Sequence, residues 1–112
     1  MNNLKPVISA MVNAVGGVLK KQWPEVKDYA EEEMEKIAKR VELIVKKSIA
    51  GDISEEEAKI LLQMQKNAAA GTLAILEGIS RLMAEQAINA ALEVLKNAIK
   101  EVLPFDLFDK LK

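Results

Sequence analysis

The 112-residue chain contains neither cysteine nor histidine. Without thiols there can be no disulfide, no thiolate nucleophile and no thiolate metal site. Without imidazole, most nucleophile–base pairs and most transition-metal sites lose an essential member. Helical di-iron centres need inward-facing Glu-x-x-His pairs, which this chain cannot supply. Aromatic residues are scarce: two Phe, one Tyr and one Trp. Five glycines and three prolines are too few, and too widely spaced, for the turns of a β-rich fold. Charge of neither sign prevails, since 16 basic and 17 acidic residues leave a net charge of −1. A nucleic-acid binder carries a clear basic excess, so no nucleic-acid partner is expected. Long apolar runs are also missing. The longest charge-free stretches, Pro6–Leu19 and Asn67–Leu76, fall short of the ~18–20 residues of a membrane span. Val7–Leu19 has the length of a signal-peptide core, but Asn13 interrupts it and Lys20-Lys21 follows where a small-residue cleavage pattern is needed. These absences predict a cytoplasmic protein that is not an enzyme, with no catalytic residue, cofactor or metal.

What is present is a helix-forming alphabet. Half of the residues are hydrophobic, far too many for a disordered chain. Alanine, leucine, lysine and glutamate, all strong helix formers, predominate. The length suits one domain, and the pattern predicts an all-α fold.

Three segments follow. In the first, about 4–22, Leu4, Ile8, Met11, Val15 and Val18 recur at spacings of three and four, on one helical face. Gly16 and Gly17 each weaken the helix by roughly 1 kcal/mol relative to alanine; they admit a close neighbour or mark a soft point. Trp23-Pro24 kinks or breaks the chain, because proline lacks the helix donor and restricts its predecessor. The second segment, 24–50, carries Ala30, Met34, Ile37, Val41 and Ile44 on one face, with the pairs Glu35–Lys39 and Glu42–Lys46 on the other. Gly51 then fits a left-handed C-cap. Ser54 and Glu57 fit a capping box with Ile53 ahead of it, opening the third segment. So short a linker makes the flanking helices antiparallel neighbours.

The third segment reads as one long helix, 54–103, ended by Pro104. Its length would be about 70–75 Å. Apolar positions spread over most of its circumference, and Glu77, Arg81, Glu85, Asn89, Glu93 and Asn97 form a narrow solvated stripe. Packed as a long antiparallel hairpin, the chain would oppose the small run Ala68–Gly71 to Met34 and Ile37, large against small. It would also leave much apolar surface bare. The expectation is therefore a homo-oligomer, a dimer first of all, in which two hairpins form a four-helix bundle.

The candidate self-association residues are Leu61, Ala70, Gly71, Ala74, Ile75, Gly78, Ile79, Leu82 and Met83; Ala70, Ala74 and Gly78 form a small-residue row that lets backbones approach closely. A non-enzymatic interaction or structural role, with another copy or a different protein as partner, follows from that face. The alternative is a membrane-surface protein. Leu4, Ile8, Met11, Val15 and Trp23, flanked by Lys20 and Lys21, would then be the membrane contact. The final segment, 104–112, is too short to fold alone and reads as a hydrophobic plug. Phe105-Asp106-Leu107-Phe108 also resembles the short Asp-Leu-Phe peptides with which bacterial proteins dock on the replication sliding clamp. Pro104 stands at their usual glutamine position, and a phenylalanine replaces an aliphatic residue.

Overall fold

A computed structural model describes residues 4–77, 79–109 and 111. The fold is all-α, with no strand among the described residues. Helix α1 spans Lys5–Leu19, α2 Trp23–Ala50, α3 Glu55–Glu77 and α4 Arg81–Ile99; a single 3-10 turn, Lys20–Gln22, joins α1 to α2.

The first arm breaks just before Pro24. Lys20 takes φ 48° and ψ −97°, a positive-φ conformation outside the regular regions that costs a non-glycine residue on the order of 1–3 kcal/mol. Pro24 then sits in the first turn of α2, where its missing N–H costs nothing. The chain reverses here, because α1 residues Ser9 and Asn13 line one cleft with α2 residues Glu31 and Lys27. Gly16 makes the reversal possible. A Cβ at that position would lie 2.7 Å from the Trp23 ring. Gly17 faces open space.

The second reversal matches the expected caps. Gly51 is left-handed at φ 79°. Its N–H and that of Asp52 donate to the carbonyls of Ser48 and Lys47, the paired bonds of a Schellman ending. The Ser54 and Glu57 side chains each accept the other's backbone N–H at 3.0 Å. Arg40 donates to Gln65 across the α2–α3 seam at 3.0 Å; of the small run 68–71 only Ala69 and Ala70 are buried.

The predicted helix 54–103 is two helices. Ser80 is extended, and its Oγ accepts the Met83 N–H at 3.1 Å, which starts α4. Lys66 of α3 lines a cleft with Asn89 and Leu92 of α4, so α4 runs back along α3. The arm is folded in half, and the longest dimension of the molecule is 42 Å, about the length of α2 alone.

Each helix packs on two neighbours in the cyclic order α1–α2–α3–α4, and α1 closes the ring on α4 through the most extensive seam. A four-helix arrangement is thus completed within one chain, and a second copy is not needed to build it. The core runs from Met11, Val15 and Leu19 through Val26, Met34 and Val41 to Leu62, Ile88, Leu92 and Leu95.

Candidate interaction surface

The faces of α3 decide what this molecule presents to its surroundings. Ala58, Leu62, Ala69 and Leu73 point into the core. Leu61 and Gln65 turn toward α2, where they border Leu43 and Ile44. Lys66 turns toward α4. At 100° per residue the outward direction belongs to Ile60, Met64, Asn67, Ala68, Gly71 and Ile75. Ile60 is 56% exposed, Met64 58% and Ile75 83%. The outward face's own residues from Ile60 through Ile75 are uncharged, and the charge placed against them is the Arg81 guanidinium beside Gly71. Its polar groups bond within their own helix: Gln63 Nε2 donates to Asn67 Oδ1, and Thr72 Oγ1 to the Ala68 carbonyl. Covering such a face strips few unsatisfied polar groups of water.

The other outer faces differ. That of α2 bears Glu31, Glu32, Glu35, Lys39, Lys46 and Lys47. That of α4 bears Arg81, Gln86, Asn89, Glu93 and Asn97. The expected ion pairs form at Glu35–Lys39, 2.9 Å, and Glu42–Lys46, 3.7 Å. The Glu35 carboxyl is held below its ordinary value by the hydrogen bond and charge of Lys39. Arg81 pairs with Glu85 at 3.3 Å; a pairing with the Glu77 side chain lies outside the described residues.

The predicted self-association residues are divided by the fold. Ala70 and Ile79 are buried in the chain's own core. Leu61, Ala74 and Met83 are partly buried against it. Gly71 lies at the edge, where a Cβ would come within 3.3 Å of Arg81 Nη1. Ile75 and Leu82 are freely exposed. Gly78 lies outside the described residues. The small-residue row therefore does not form one outward face, since Ala70 serves α3's internal packing.

The predicted membrane contact turns inward. Met11 and Val15 are fully buried, and Leu4, Ile8 and Trp23 are partly buried against the core. Presenting this face to lipid would require taking α1 off α4. No helix is long and apolar enough to cross a membrane among the described residues.

The C-terminal segment packs back as a plug. Leu103 and Leu107 are buried, with Phe105 and Phe108 against them. Asp106 Oδ1 accepts the Phe108 N–H at 2.9 Å. Lys59, itself little exposed, bridges Glu55 at 3.1 Å and Asp109 at 3.0 Å, and lies 5.9 Å from the Phe105 ring centre. The bond from Asp109 holds the Lys59 amine above its ordinary value. The leucine of the clamp-like peptide is thus inside the fold, not displayed.

Three features escaped the sequence reading: the Ser80 cap, the Lys59 clasp, and Lys66, the one charged side chain buried among the described residues. The first had a legible signal, because Ile79-Ser80 after a glycine repeats the Ile53-Ser54 pair after Gly51. The other two are lysines with no motif around them. Among the described residues no group of three or more Asp or Glu side chains is placed to hold a metal. No family model matches the chain, and no curated protein or solved structure is significantly similar to it.

Proposed function

We propose that the protein is a non-enzymatic interaction module that associates with a second copy of itself through the outward face of α3. The observation that carries this reading is the uncharged row Ile60, Met64, Ala68, Gly71 and Ile75, exposed along four helical turns. Ordinary solvent-facing helix surfaces are polar; those of α2 and α4 are mainly so here, with Leu43, Ile49 and Leu82 as exposed apolar exceptions.

The row is self-complementary. Laid antiparallel on its copy about a two-fold axis between Asn67 and Ala68, it opposes Ile60 to Ile75 and Met64 to Gly71. Large side chains then meet small ones, as close helix packing requires, and the contact is isologous, as in most homodimers. Leu43, exposed beside Leu61 on the adjoining α2, widens the patch on one side.

Size-exclusion chromatography with light scattering tests it. The native chain is expected at twice the 12.3 kDa chain mass, and Met64→Asp or Ile75→Asp at the single-chain mass with unchanged helical circular dichroism. Gly71→Leu is expected to disrupt assembly far more than Gln63→Leu. A native chain that stays monomeric at high concentration overturns the reading, as does equal tolerance of Gly71→Leu and Gln63→Leu.

A further inference from the structure

The seam between α3 and α4 holds a feature that self-association does not use. Lys66 is only 3% exposed, yet it makes no hydrogen bond or ion pair with any described residue. No buried side-chain nitrogen or oxygen among the described residues lacks a partner, so it is the stem of Lys66 that is buried while its ammonium opens onto a cleft. Its side chain lines a cleft of about 200 Å³ with Asn89, Leu92, Glu93, Lys96 and Phe108. Among the described residues the cleft's charged lining is Lys66, Lys96 and Glu93, and Lys100 and Asp106 of the adjoining cleft offset one another, which leaves one net positive charge. Neither Lys96 nor Glu93 forms an ion pair with another described residue.

A second cleft of about 380 Å³ adjoins the first, sharing Lys96 and Phe108 with it. Leu103, Phe105 and Leu107 are among the apolar residues that make up most of its lining, with Lys96, Lys100 and Asp106 as its charged members. Together the two have the size and make-up of a small-molecule site, apolar walls with a few convergent polar groups (~300–1,000 Å³).

We infer that this paired cleft is a binding site for a small amphiphilic monocarboxylate, with its head group on Lys66 and its apolar chain under the C-terminal segment. One net positive charge matches a monoanion better than a phosphate dianion. The Asn89 amide can donate to the second carboxylate oxygen, and Lys96, which lines both clefts, adds a second positive charge. Phe108 stands between the two clefts and covers the start of the chain. The long stem of Lys66 is buried while its ammonium faces the cleft, so the charge is available without unfolding any element.

Isothermal calorimetry with sodium octanoate, 1-octanol and sodium phosphate provides the test. Octanoate is expected to bind one per chain, at least about ten-fold more tightly than octanol, with phosphate weaker than both. Lys66→Met, which leaves no partner unsatisfied, is expected to keep the fold and to lower octanoate affinity to the level of octanol. Octanoate affinity unchanged in a folded Lys66→Met chain overturns the proposal, as does phosphate binding more tightly than octanoate. Amide chemical-shift mapping on the native chain gives an independent readout. Octanoate should perturb Asn89, Leu92, Lys96 and Phe108. Perturbation confined to the Ile60–Ile75 row, or the absence of octanoate binding, overturns the site as well.

Discussion

Helices α1 and α3 each carry an apolar row at helical spacing, and the fold treats the two rows oppositely. The row of α1, with Met11, Val15 and Leu19, is spent on the seam with α4. The outward row of α3, with Ile60, Met64 and Ile75, lies in solvent. Spacing alone distinguishes a face from its opposite but does not say which face is satisfied within the chain. That depends on which helices the turns bring together. Here α3 has two apolar faces and its chain neighbours cover one of them.

The largest expected effect separates the two rows energetically. Leu95→Ala, on the α4 side of the α1 seam, should cost about 2–5 kcal/mol in urea unfolding. Ile75→Ala on the exposed row should change single-chain stability by no more than about 0.5 kcal/mol. Similar losses from both would mean that the α3 row is already covered within the chain. A second contrast lies inside α1. Gly16→Ala drives a methyl into the Trp23 ring and should destabilise by about 1–3 kcal/mol. Gly17→Ala meets nothing and should stabilise by up to about 1 kcal/mol through helix propensity; both are read from thermal midpoints.

Ser80→Ala removes the cap that starts α4 and should cost about 1 kcal/mol by the same measure. No loss would place the reversal under the control of packing alone. The smallest effect concerns pH. The Ser54 backbone N–H, and then its hydroxyl, hold the Glu57 carboxyl below its ordinary value. The stability this contributes is present above the unfolded carboxylate range, near ~4.3, and is lost as pH falls through the lowered folded value. Acidification below that range should loosen the start of α3 in the native chain, and this component should vanish in Glu57→Gln. Hydrogen exchange at the amides of α3's first turn reports it.

These contrasts also mark what was legible in the sequence. The turn at Gly51–Ser54 was fully written out, with a left-handed glycine, a staple residue and a complete capping box. The interruption near Pro24 was legible too, but not whether the chain kinks or breaks there; it breaks, at the 3-10 turn Lys20–Gln22. The turn before α4 was written more faintly. Ser80 caps it with Met83, not glutamate, three residues on, and the flanking residues are strong helix formers in either arrangement. Read as continuous, that stretch is a helix too apolar to stand alone; folded in half, it buries part of that surface within the chain, α3 and α4 packing on one another and α1 on α4. Ile75 and Leu82 were legible as apolar and remain exposed; Ala70 and Ile79 were equally apolar and are not. Lys66 was invisible for another reason. A lysine in a helical run reads as solvated, and only the return of α4 and the C-terminal segment encloses it.

The cyclic order of the helices also bears on how the chain folds. Three of the four seams join consecutive helices across short turns, and such contacts close at little entropic cost. The fourth, α1 on α4, joins the two ends of the helical array and is the most extensive. Local hairpins can therefore form early and independently, while the ring is sealed only by an encounter across nearly the whole chain. Sealing that seam is the step on which commitment to the native state depends. Until it closes, the apolar faces of α1 and α4 are both open, and in that interval two chains can exchange α1 helices when the protein concentration rivals the effective concentration of closure within one chain.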